Sequence, residues 1–190
     1  MRRFFLLGLI CFLCIACSRN PEGAGLYGND ISGSAIKPAF NLIDHQGKQQ
    51  KLENFVRKVV VINFGYTHCP DVCPTTLLDL ANALKLMGAS AKDVQVLFVS
   101  VDPSRDTQEV LAQYVPSFNP TFIGLRGDTQ QLDAAVKSFN AYYAKADGEK
   151  NYSVDHSAGS YVIDKKGNAR LYIQFGEKPA EIAHDLQSLL

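Results

Sequence analysis

The chain of 190 residues sets 19 Lys plus Arg against 19 Asp plus Glu. It therefore has no net charge, and no basic run of the kind that grips nucleic acid appears anywhere along it. The length suits one domain with its own core, and no internal repeat is visible.

Arg2 and Arg3 precede thirteen uncharged, mostly apolar residues, Phe4 to Ala16. That span is too short for a membrane helix of about twenty residues. It matches a secretory signal, with a charged start, an apolar middle and small Ala16 before Cys17. Ile15-Ala16-Cys17 resembles the end of a bacterial lipoprotein box, in which the cysteine is lipidated and becomes the mature N-terminus. The other reading is an uncleaved signal anchor. Either way the expected domain lies outside the cytoplasm, on the periplasmic side, tethered to a membrane. Residues 1–17 are thus read as signal and anchor. Residues 18–38, rich in Gly and Pro, are read as a flexible tether. Of five cysteines, Cys11 and Cys14 leave with the signal and Cys17 carries lipid. Cys69 and Cys73 remain, in a compartment where disulfides persist. A staple across four residues would constrain little chain, so function explains that pair better than stability does.

The domain is expected over residues 39–190. Phe40 to Ile43, a turn around Asp44 and Gly47, and Gln49 to Leu52 predict an N-terminal β-hairpin covering one end of it. The apolar run Val59 to Phe64 predicts a buried strand. A short loop with Cys69 and Cys73 follows, then an amphipathic helix carried by Leu77, Leu80, Ala81, Leu84 and Met87. Pro74 suits the first helical position, which puts Cys73 at the N-cap, and Gly88 ends the helix. Thiols at a helix N-terminus meet free N–H groups and the positive end of the dipole, which favour thiolate. Val94 to Val101 is a second buried strand. Asp106 with Glu109 predicts a capped helix through Tyr114. Thr121 to Leu125 is a short strand, and Asp128 with Gln131 starts a helix reaching Phe139. Asn140 to Asp155 is polar and irregular, the kind of loop that is mobile or functional. Gly159 to Asp164, the turn at Lys165 to Asn168, and Ala169 to Phe175 form a second hairpin. Pro179 opens a last helix with Ile182, Leu186 and Leu189 on its inner face. The order implies an α/β domain, a mixed central sheet with helices on both faces.

A dithiol where the first core strand meets its helix is the mark of the thioredoxin-like fold, which by itself does not give function. The segments GYTHCPDVCP (65–74), SVDPSRDT (100–107) and VDHSAGSYVID (154–164) resemble the signature blocks of the Sco (SenC) family, in the family's order. That resemblance implies a membrane-tethered copper chaperone for the copper centre of cytochrome c oxidase. It implies one copper held by Cys69, Cys73 and His156, a copper-accepting subunit and a copper donor as partners, and a thiol reductant. Chemistry points the same way, since two soft thiolates plus one imidazole suit Cu(I). Thioredoxin-like oxidoreductases resemble one another in a cis-proline facing the dithiol. Here no proline lies between Pro120 and Pro179, and Asp155-His156-Ser157 stands in that place.

Each residue has a plainer reading. His156 could be a solvated loop histidine, Asp71 a loop acid, and Asp102 and Asp106 strand-end and cap residues. His68 is read as support for its neighbour Cys69, and His45 and His184 as solvated. The main alternative function is a thiol–disulfide oxidoreductase acting on the cysteines of a copper-accepting protein, with Cys69 and Cys73 as its redox pair. A zinc site of the Cys2His type and a peroxiredoxin-like peroxidase are further readings. The last lacks the Pro-x-x-x-Thr/Ser-x-x-Cys block.

Overall fold

In the computed structural model, residues 25–146 and 152–190 are described. The predicted signal, Cys17 and the first part of the tether lie outside them. The elements are β1 (Asn29–Asp30), β2 (Asn41–Asp44), β3 (Gln49–Lys51), β4 (Val59–Gly65), α1 (Val72–Met87), β5 (Val94–Ser100) and α2 (Gln108–Phe118). They continue with β6 (Ile123–Arg126), α3 (Thr129–Ser138), β7 (Tyr143–Lys145), β8 (Val154–His156), β9 (Ser160–Ile163), β10 (Ala169–Ile173) and α4 (Pro179–Ser188). Eight strands form one mixed sheet in the order β1-β10-β9-β4-β5-β6-β2-β3, while β7 and β8 form a separate ribbon.

Strands β4 and β5 are parallel, and every residue of both is buried. This is why they read as largely apolar runs: both faces of the sheet are covered. Alternation along β4 sends Phe64 toward Phe139, at the end of α3, and sends Asn63 and Gly65 to the opposite face. The Phe64 ring meets Phe139 and Tyr161 edge-on. On the other face α1 packs against α4 and α2, and Asn63 Nδ2 donates to Ser160 Oγ. Helices therefore lie on both sides, and the α/β, thioredoxin-like architecture expected from the element order is the one observed. No helix among the described residues is long and apolar enough to cross a membrane.

The predicted N-terminal hairpin forms as β2–β3 and closes one end of the sheet, with β2 pairing antiparallel to β6. Three local expectations are corrected. The segment read as tether is bound over part of its length. Asn29 and Asp30 pair with Tyr172 and Leu171, and the Tyr27 and Gly28 amides donate to the fully buried Asp185 carboxylate. Helix α2 is capped by Thr107, whose hydroxyl accepts from Val110 N, and runs through Pro116 to Phe118. That leaves Asp106 for another purpose. Finally, α1 starts one residue before Cys73, with Asp71 at the N-cap. Proline is tolerated throughout the first turn because those amides have no intrahelical acceptor, so Pro74 did not fix the cap. The Gly88 stop, with φ +58°, and the Asp128–Gln131 capping box are as predicted.

Candidate metal centre

The centre sits above the C-terminal ends of β4 and β5. Strand β4 ends at Gly65, and the chain turns so that the Cys69 amide donates to the Tyr66 carbonyl. Cys69 is half-buried on this turn, while Cys73, in the first turn of α1, is 1% exposed. The Cys73 amide points at Cys69 Sγ, 3.5 Å away. Gly65 makes room for the second thiol: a Cβ there would lie 2.7 Å from Cys73 Sγ and 2.7 Å from the Phe98 ring. Only glycine leaves both in place.

His156 arrives from the far side. At the two ends of the stretch expected to be irregular, Tyr143–Lys145 and Val154–His156 form a ribbon in which Tyr143 pairs with His156 and Lys145 with Val154. His156 Nε2 stands 3.4 Å from Cys73 Sγ, and Nδ1 lies 3.0 Å from the Ser157 carbonyl. A carbonyl can only accept, so Nδ1 carries the hydrogen and the Nε2 lone pair faces the thiols. The Tyr66 ring meets the imidazole edge-on at 5.8 Å. Cys69, Cys73 and His156 thus each present one ligand atom, all within 4.8 Å of one another. Bonds of roughly 2.0–2.3 Å on either side of a single ion span about that separation. The donor set and its spacing fit one soft metal ion.

Burial, not the helix dipole, governs Cys73. Its enclosure pushes the thiol well above the ordinary range, against one backbone hydrogen bond that favours the charged form. The expectation of a thiolate at the helix start therefore fails for this residue while no cation is present. A metal ion that binds here would have to displace the Cys73 proton, and Nε2 must stay unprotonated to serve as the third ligand.

Underneath is a support that the sequence reading missed. Asp106 is completely buried. Its carboxylate accepts from the Thr67 amide and hydroxyl, at 3.1 and 2.6 Å, and from the Ser100 hydroxyl at 2.6 Å. It ties the thiol-bearing loop to the end of β5. Asp102, also buried, accepts from Arg105 Nε and from the Tyr152 hydroxyl. Both acids had been read as strand-end and cap residues. The available signal was their position in the loop that follows a strand buried on both faces. His68 is exposed, with Nδ1 3.2 Å from Thr67 Oγ1, and Asp71 is exposed without a side-chain cap bond; neither joins the three-ligand group. His184 is exposed as expected, but His45 is not simply solvated, since its Nδ1 accepts from the Gly124 amide at 2.9 Å. Among the described residues there is no cis peptide bond.

Residues 28–190 match the SCO1/SenC family model. A SCO2-like protein of Rickettsia felis is 34% identical over 190 residues, covering 96% of this chain and 91% of that protein. The structure of Bradyrhizobium japonicum ScoI with copper bound superposes with a TM-score of 0.76 at 38% identity, over 82% of this chain and all of that one. BsSco, described with a disulfide switch and as a member of the Sco family of cytochrome c oxidase assembly proteins, gives a TM-score of 0.65 at 25% identity. That match covers 81% of this chain and 92% of BsSco.

Proposed function

Because this chain belongs to the SCO1/SenC family, we propose that it is a copper-binding chaperone that delivers copper to, or prepares, the copper centre of cytochrome c oxidase. The observation that carries this reading is the convergence of two thiols and one imidazole from separate elements within 4.8 Å. Soft sulfur ligands select Cu(I), and a single imidazole borrowed from a separate ribbon can leave without dismantling the thiol pair. Copper is the cargo. The partners are a copper donor, a copper-accepting oxidase subunit, and a reductant that keeps the thiols available. Zinc would be held by the same atoms with one position open; the copper-bound relative favours copper.

The dithiol is also the protein's redox element. One thiol is reachable and the other is enclosed, an asymmetry that favours a second reading, exchange with the cysteines of the acceptor. Oxidation joins the two sulfurs and releases two protons and two electrons to the oxidant, and the resulting disulfide cannot ligate metal. Copper should therefore protect the pair. A thiol count in air should find no free thiol among Cys69 and Cys73 in long-aerated metal-free protein and two in the copper-loaded form. An insulin-reduction assay run beside it should be slow. Persistent free thiols in the aerated apo protein would contradict the switch, and brisk insulin reduction would put the oxidoreductase reading first.

The site works, in this proposal, on the periplasmic face of a membrane. The support is the short apolar span ending at Ile15-Ala16-Cys17. Mass spectrometry of the membrane-bound form should find a lipidated Cys17 as the first residue. An intact Met1 would replace the lipoprotein with an uncleaved anchor.

A further inference from the structure

We infer that Arg105 is a positioning residue that holds His156 over the two thiols. The inference rests on the copper reading above. His156 ends β8, a three-residue strand in a ribbon of two strands that is not part of the main sheet. A two-strand ribbon is marginal by itself. Something else must fix the ring.

The β7 strand is pinned by Tyr143, whose hydroxyl donates to Asp133 Oδ1 on α3 at 2.6 Å. The entry to β8 is pinned by Tyr152, and Tyr152 is held largely by one loop. Its hydroxyl donates to Asp102 Oδ1 at 2.7 Å, and its carbonyl accepts from Arg105 Nη1 at 3.0 Å. The guanidinium lies 3.6 Å from the Tyr152 ring centre, and Lys145 Nζ of β7 lies 3.7 Å from it. Arg105 also stands 5.6 Å from the Tyr66 ring, which itself packs edge-on against the His156 imidazole. The same side chain thus touches the backbone that leads into His156 and the ring that braces it.

Two features mark this as more than a surface ion pair. Arg105 Nη2 is buried without a partner among the described residues, a desolvation that a freely moving arginine would avoid. The planar guanidinium also combines a fork of donors with aromatic stacking, which an ammonium cannot reproduce. Because Asp106 in the same loop grips Thr67, the segment from Asp102 to Asp106 fixes the thiol-bearing turn and the histidine-bearing ribbon relative to each other.

The test uses the purified full-length protein loaded with copper, as wild type, Arg105→Ala, Arg105→Lys, Tyr152→Phe, His156→Ala and the double variant Arg105→Lys/His156→Ala. Imidazole nitrogen coupling to Cu(II) is read by pulsed electron paramagnetic resonance, and affinity by competition with a chelator. Arg105→Lys should keep both sulfur ligands, lose imidazole coupling and weaken copper binding roughly 10-fold or more, the scale on which outer partners of metal ligands act. Tyr152→Phe should move the same way by less. The double variant should be no weaker than His156→Ala alone, because the arginine acts through the histidine. Full imidazole coupling with wild-type affinity in Arg105→Lys, or losses that add in the double variant, would overturn the inference. If Arg105→Ala does not fold, Arg105→Lys and Tyr152→Phe decide. Absence of imidazole coupling in the wild type would instead refute the three-ligand reading of the site.

Discussion

Replacing Cys69 or Cys73 with alanine should abolish tight copper binding, whereas His156→Ala should leave a weaker site on two thiolates. The reasoning follows from ligand chemistry and from where each atom sits. The thiolates are the soft donors that set the preference for Cu(I), and a lone sulfur would hold the ion with half of that set. The imidazole adds a third bond from a ribbon that can move apart from α1. Its loss should cost at least the roughly 10–100-fold that removing an outer partner of a metal ligand costs. Cys69 is the cleaner of the two thiol substitutions, since it is half-exposed, whereas Cys73 is packed against Gly65 and Phe98. A competition titration with a Cu(I) chelator, run on reduced protein with circular dichroism as a folding control, measures the series. Unchanged affinity in His156→Ala would remove that residue from the site.

Asp106→Ala should be the most destabilising change near the centre that touches no proposed ligand. The carboxylate is fully buried and takes hydrogen bonds from Thr67 N, Thr67 Oγ1 and Ser100 Oγ. Alanine would strand the fully buried Ser100 hydroxyl and take the acceptor from the two half-buried Thr67 donors. Orphaned buried groups cost about 1–3 kcal/mol each, so the expected loss is about 3–5 kcal/mol of folding stability. Asp106→Asn keeps an acceptor on one side and should cost less. Urea unfolding of the reduced, metal-free protein gives both values, and faster alkylation of Cys73 should accompany the loss as the loop above it loosens. An alanine variant as stable as the wild type would show that the network does not hold the loop.

The parts of the fold that were legible in the sequence are those with a strong local cause. Val59 to Phe64 reads as a buried strand because five of its six residues are apolar, and Gly88 and Asp128 mark helix ends by chemistry that needs no distant partner. The misread positions involve competing local causes. Asp106 and Thr107 are adjacent residues of cap-forming type, and only the tertiary structure decides that the threonine caps α2 while the aspartate turns inward. Likewise β1 has two residues and β7 and β8 three each, too few to display a period of two. They form because partners elsewhere receive them. The three residues that the structure brings together, Cys69, Cys73 and His156, could be named from motif and donor chemistry. Their support could not, because Arg105 meets Tyr152 across 47 positions of sequence and Thr67 meets Asp106 across 39. Local pattern carries no trace of such pairs. The dipole argument for a thiolate failed for a related reason, since burial of Cys73 depends on Gly65 and Phe98, which arrive from β4 and β5.

X-ray absorption at the copper edge of the reduced, copper-loaded full-length protein tests the central claim most directly. The account predicts one copper per chain with two sulfur neighbours and one imidazole nitrogen, the nitrogen signal vanishing in His156→Ala while both sulfurs remain. A first shell of oxygen and nitrogen without sulfur, or an imidazole signal that survives His156→Ala, would contradict it.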